Sequence, residues 1–198
     1  MNIILIRHGE TEGNQLRILQ GHSGIGLNLT GRNQAKLVAE RLSSESVDIA
    51  FVSDLRRAKE TADHILSFHK QAEVIFTPTL RERSFGVFEG QSWDSFENAL
   101  LHSEHDFFSF RPPQGESLHD LSLRVTQFYM KLCQEQPTQN ILIVGHRDWL
   151  TMLYLHLRKI ETNYENYIRH MPNNTAVSVV HMAGSRVTYP SFNCTRHL

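Results

Sequence analysis

Apolar residues along this chain fall into short unbroken runs that alternate with stripes at helical spacing. Asn2–Arg7 (NIILIR) is a β-branched run of strand length, the pattern of a strand buried within a sheet. Ala35, Val38, Ala39 and Leu42 then recur on one helical face behind Thr30, a residue type suited to capping. Residues 48–53 (DIAFVS) read as a second strand. Leu55, Ala58, Ala62, Ile65 and Leu66 form a second helical stripe, and Glu73–Thr77 (EVIFT) is a third strand stopped by Pro78. The pattern breaks over residues 83–111, where aromatics, acids and histidines before Pro112-Pro113 predict short helices joined by loops. Ser117 opens a clear helix carrying Leu118, Leu121, Val125, Phe128 and Leu132 on one face. Residues 140–144 (NILIV) predict a fourth strand running straight into Gly145-His146, and residues 149–157 predict a helix. Residues 175–181 and 186–189 predict two terminal strands around a Gly184-Ser185 turn.

Strands alternating with helices predict an α/β domain of three layers, α/β/α, around a mostly parallel central sheet. No repeat, low-complexity tract or linker divides the chain, so residues 1–198 read as one domain. In open sheets of this kind ligands bind beyond the carboxyl ends of the strands. Arg7-His8-Gly9 and Gly145-His146 each follow a strand directly, which places both histidines on that edge.

Composition narrows the partners. A net charge of −1 over 198 residues argues against nucleic acid or an anionic membrane surface, which call for a basic excess. It leaves room for a local basic pocket that takes a small anion. Cys133 and Cys194 have no CxxC or metal-ligand spacing, which suits a reducing compartment. The apolar run at residues 3–6 is too short for a leader, and no stretch approaches the ~20 residues of a membrane span. A cytoplasmic protein is expected, with oligomeric state left open.

Phosphoryl transfer without a metal requires cationic donors around the three equatorial oxygens, an in-line nucleophile and a proton for the leaving oxygen. A neutral imidazole is a competent nucleophile, and the planar arginine fork is the best fixed partner for phosphate. Gly9, directly after His8, suits a close approach of backbone to a ligand. Arg7-His8-Gly9 alone is weak, because a lone strand-end histidine is more often a structural hydrogen-bonder. Its context is stronger. Arg7-His8-Gly9-Glu10-Thr11-Glu12-Gly13-Asn14 ends the first strand, and Ser53-Asp54-Leu55-Arg56-Arg57-Ala58 follows the second, with Thr61-Ala62 a turn later. Leu80-Arg81-Glu82 precedes Phe85-Gly86-Val87-Phe88-Glu89-Gly90, Pro113-Gln114-Gly115-Glu116-Ser117 opens the long helix, and Val144-Gly145-His146 ends the fourth strand.

In this order and spacing the set resembles the histidine phosphatase superfamily, over roughly residues 3–150. The resemblance implies a phosphoglycerate mutase-like α/β fold, a phosphohistidine intermediate and neither metal nor cofactor. It makes His8 the residue that takes the phosphoryl group, Arg7 and Arg57 its two arginine clamps, His146 the second histidine and Glu82 the general acid and base. Asn14 matches a further phosphate donor. Gln20 and Gly21 match the loop over the substrate, and residues 83–114 match the variable segment that sets specificity. The substrate implied is a small phosphorylated metabolite. The phosphatase branch fits better than a phosphoglycerate mutase, because the longer middle and C-terminal segments of mutases are missing. A non-catalytic phospholigand-binding module is the remaining alternative, disfavoured by the complete residue set.

Several residues carry plainer readings. Arg56 reads as surface, Glu89 and Glu116 as structural, with Glu116 near a helix N-terminus. Phe107, Phe108 and Phe110 read as core or pocket wall, and His102 and His105 as a solvated face rather than metal ligands. Two departures from the family pattern stand out. Arg147-Asp148-Trp149 follows the second histidine where small residues are usual, so Arg147 is either a second substrate anchor or the partner of Asp148. Residues 23–30, with Gly24 and Gly26, lack the usual Asp-x-Pro-Leu-Thr.

Overall fold

The computed structural model describes residues 1–136, 139–183 and 186–198. The proposed Gly184-Ser185 turn lies outside them. Six strands form one sheet: β1 (Asn2–Arg7), β2 (Ile49–Ser53), β3 (Glu73–Thr77), β4 (Asn140–Gly145), β5 (Val177–Ala183) and β6 (Arg186–Cys194), in the order β3-β2-β4-β1-β5-β6. The first four in that order run parallel, and β5 and β6 are antiparallel additions on one side.

Because successive side chains of a strand point to opposite faces, the apolar runs feed two cores. Ile3 and Leu5 of β1 and Ile141 and Ile143 of β4 pack on one face, against helices α5 (Leu118–Glu135) and α6 (Arg147–Arg158). Ile4, Ile6, Leu142 and Val144 pack on the other, against α2 (Leu29–Leu42) and α3 (Arg56–Leu66). The expected three-layer α/β architecture is therefore present. A third cluster, Leu19, Phe85, Phe96 and Phe110, sits under α4 (Trp93–Leu101), the one α-helix of the irregular segment. Two short helices, α1 (Glu12–Gln15) and α7 (Tyr164–Arg169), complete the set.

Local chemistry corrects three boundaries. Helix α2 is capped by Asn28, whose side chain accepts from Gly31 N at 2.8 Å, and Thr30 lies inside its first turn. Helix α6 begins at Arg147, because His146 is already its N-cap. Strand β5 begins only at Val177, since Thr175 adopts φ 53° in the turn before it. Ser117 caps α5 as expected and forms a reciprocal capping box with Asp120.

Candidate active site

Parallel pairing of β1 with β4 places Arg7 beside Gly145, so the next residue of each strand, His8 and His146, leaves the sheet at the same edge. Their rings lie 5.1 Å apart. Ser53 ends β2 on the other side of β4, and its Oγ is 2.7 Å from His146 Nε2. Arg57, in the first turn of α3, donates from Nε to His8 Nε2 at 3.3 Å. One turn later Thr61 Oγ1 accepts from Gly9 N (3.0 Å) and donates to the Arg57 carbonyl (2.8 Å). The S-x-L-x-R-A-x-x-T-A pattern is thus one physical unit: Ser53 holds His146, Arg57 reaches His8, and Thr61 ties their backbones together.

The His8 tautomer follows from its partners. Nδ1 lies 2.7 Å from the Gly9 carbonyl, which can only accept, so Nδ1 carries the hydrogen. Nε2 keeps its lone pair. Burial, then Arg57 and Arg7, push the His8 proton affinity well below its ordinary value, so the ring is neutral near pH 7. His146 is pushed down in the same way, by burial and then Arg57. Its Nδ1 is buried and has no hydrogen-bond partner among the described residues. Burial lowers Arg7 and Arg57 to about 10, which leaves both cationic. Arg7 is fixed by donation to the Pro172 carbonyl (2.9 Å), and Arg57 by donation to those of Gly21 (2.8 Å) and Ser23 (3.1 Å).

Glu82 follows the short turn after β3 and packs on the N-terminus of α6. Its Oε1 accepts from Asp148 N at 3.0 Å, Arg83 N at 3.1 Å and Trp149 N at 3.4 Å. Those amides favour the carboxylate, as do Arg147 and Arg57, yet burial and the charge of Asp148 outweigh them and raise Glu82 to about 7. A buried carboxyl poised near neutrality can both give and take a proton in that range.

These groups face a cleft of about 550 Å³ whose walls also include Asn14, Gln20, Gly21 and Arg147; of the expected site residues, His146 alone stands behind this lining. Asn14 closes a capping box with Thr11, accepting at Oδ1 from Thr11 N (3.1 Å). Gln20 is held by the Thr11 hydroxyl at 2.9 Å. Gly21 has φ +43°, and a Cβ there would fall 2.1 Å from Glu89, so only glycine suits the turn that offers its carbonyl to Arg57. Gly9 has a close approach of its own to helix α2, where a Cβ would meet the Gly31 carbonyl oxygen at 2.5 Å.

The sequence profile of the histidine phosphatase superfamily (branch 1) matches residues 3–195. The chain belongs to that superfamily. It is 31% identical over 202 residues to the metal-independent phosphoserine phosphatase of Arabidopsis thaliana, covering 99% of this chain and 82% of that one. It is 32% identical over 170 residues to the 2,3-bisphosphoglycerate-dependent phosphoglycerate mutase of Bartonella henselae, covering 81% and 82%. Among solved structures it superposes on the α-ribazole phosphatase of Shigella flexneri with a TM-score of 0.87 at 30% identity, over 98% and 96% of the two chains. This histidine phosphatase is an enzyme of the hydrolase class.

Arg56 pairs with Glu60 on the surface (2.6 Å). Glu116 is structural through an ion pair with Arg124 (2.8 Å) and by accepting from Ser84 N (3.0 Å). Phe110 is buried against Phe96, and Phe107 packs on Tyr167. His102 is an exposed residue at the end of α4, its ring bonded to the Asn98 carbonyl at 2.7 Å. No group of three or more metal-binding side chains is gathered among the described residues, and no described helix is long and apolar enough to cross a membrane. Three contributors escaped the sequence reading. Asn174 donates to the His8 carbonyl at 2.8 Å from 166 residues away, with no local signal. Arg124 donates to the Thr79 and Arg81 carbonyls (2.7 and 2.9 Å) and so holds the turn that carries Glu82. Arg83, fully buried, donates to the Glu116 and Phe110 carbonyls (2.8 and 2.9 Å).

Proposed function

We propose that this histidine phosphatase hydrolyses a small phosphorylated metabolite in two steps, without a metal, through a phosphohistidine on His8. The observation that carries the reading is the Nε2 lone pair of His8, kept unprotonated by the Nδ1 bond to Gly9 and adjoining the Arg57 guanidinium at the cleft wall. Nε2 attacks phosphorus, the bond to the leaving oxygen breaks, and Glu82 gives that oxygen its proton. Water then attacks the phosphohistidine, Glu82 takes the proton, and phosphate departs as the P–N bond breaks and the lone pair returns to Nε2. Arg7 and Arg57 supply charge-assisted donors to the transferring group. In this reading the Ser53 hydroxyl, 2.7 Å from Nε2 of His146, is the donor of that pair, and the partnerless Nδ1 of His146 carries the proton offered to a phosphoryl oxygen. Asn14 lines the cleft with its Oδ1 taken up by Thr11, and its Nδ2 is assigned as a further donor to the phosphoryl group.

Likeness to the Bartonella henselae mutase makes phosphoglycerate mutase the second reading. Hydrolysis of p-nitrophenyl phosphate in EDTA, wild type beside His8→Ala, is the test. Activity that survives chelation and falls at least ~10³-fold in the variant is expected. Undiminished turnover by the variant would refute the phosphohistidine route. A wild type inactive here and active in a mutase assay would favour the second reading.

A further inference from the structure

We propose, building on the phosphatase reading, that Arg147 determines specificity by receiving a carboxylate borne on the alcohol part of the substrate, so that the preferred substrates are phosphate monoesters of short hydroxy acids. Arg147 is the first residue of α6, immediately after His146, and it lines the same cleft as His8, Arg7 and Arg57. Its guanidinium is fixed on two sides. Nε donates to Asp148 Oδ1 at 2.9 Å, and the plane lies 5.6 Å from the centre of the Trp93 ring, which is itself held by donation from its Nε1 to Glu97 at 2.6 Å. The side chain is 30% exposed, against 1% for Asp148, so its free end faces the cleft.

The other arginines of the cleft differ. Arg7 donates to the Pro172 carbonyl and Arg57 to two loop carbonyls, and the N–H groups that remain on both serve the phosphoryl group in the proposed mechanism. Arg17 is exposed at the rim and makes no side-chain bond among the described residues, so binding through it must first order a long side chain. Arg147 alone combines a rigid mounting with two uncommitted terminal nitrogens among the described residues. That is a preorganised pair of coplanar donors, whose geometry matches the two oxygens of a carboxylate.

Calorimetric binding to the full chain tests this without requiring turnover. The probes are ω-phosphonocarboxylates of two to four carbons, each beside the alkylphosphonate of equal length, with wild type, Arg147→Lys and Arg147→Gln. Wild type is expected to bind the carboxylated member about 10- to 100-fold more tightly at one chain length at least. Glutamine should abolish that preference, and lysine, which keeps the charge but loses the fork, should retain only part of it. Equal binding of both series by wild type at every length overturns the proposal, and so does a preference that survives in Arg147→Gln. The wild-type comparison decides even if the glutamine variant folds poorly with Asp148 left unpaired. A carboxylate preference without p-nitrophenyl phosphate turnover would count against the phosphatase reading alone; turnover without the preference would count against Arg147 alone.

Discussion

At Glu82 the fold works against ionisation, because burial and the neighbouring charge of Asp148 raise it from 4.5 to about 7. Catalysis and stability then pull in opposite directions. A group with a raised folded-state value contributes stability that is complete below its unfolded value, here near 4.5, and is lost as pH rises through about 7. Glu82→Gln, which cannot ionise and can still accept the three backbone amides, should therefore be more stable than wild type at pH 8 by roughly 1–3 kcal/mol and similar to it at pH 4.5. Denaturant melts at the two pH values check this; a variant no more stable at pH 8 would remove burial as the cause. The same substitution should slow esters with poor leaving groups far more than aryl esters, as should raising the pH past about 7 in the wild type. Steady-state kinetics on both kinds of ester decides it, and equal losses would show that Glu82 is not the acid. His8 stays neutral throughout this range, since burial and two arginines hold its proton affinity well down, so the acid side of the profile should not be set by its protonation.

Helix ends do much of the positioning at the level of elements. Helix α6 begins at the residue after His146, so one short segment holds a histidine, presents Arg147 and aims the Asp148 and Trp149 amides at Glu82. Trp149 anchors this arrangement, donating from Nε1 to the Thr79 carbonyl at 2.9 Å within the turn that leads to Glu82. Helix α2 is placed by Asn28, which caps it and donates from Nδ2 to Glu10 at 2.8 Å. Asn28→Ala should cost about 1 kcal/mol, and Thr30→Ala should stay within about 0.5 kcal/mol. Urea titrations of the two variants would separate the caps, and the reverse ranking would return the cap to Thr30.

For the molecule as a whole, the strand order is the decisive arrangement. β4 lies between β1 and β2, so the strand ends that carry His8, His146 and Ser53 are brought side by side although they are scattered in sequence. The sheet can do this because its central strands are covered by helices on both faces, with Ile143 and Leu142 of β4 buried on opposite sides. Ile143→Ala should destabilise the fold by about 2–5 kcal/mol through a cavity beneath α6. Equilibrium unfolding followed by fluorescence measures the loss, and a change below 1 kcal/mol would show that this face is not close-packed.

The periodicity of apolar positions and the residues at strand ends were legible in the chain itself. The apolar runs named four parallel strands, the helical stripes named their covering layers, and the strand-end positions of His8 and His146 placed both on one edge. Arg57 was singled out from Arg56 by its motif, and the structure buries the first against His8 and leaves the second on the surface. Tertiary structure alone decided the cap of α2, where Asn28 wins because it also reaches Glu10, and the support of His8 by Asn174 from the far end of the chain. It likewise decided that Arg147 both pairs with Asp148 and lines the cleft. The motif singles out Glu82, but the rise of its carboxyl toward neutrality comes from burial beside Asp148. Such properties belong to the surroundings of a side chain, and surroundings exist only once distant segments have packed.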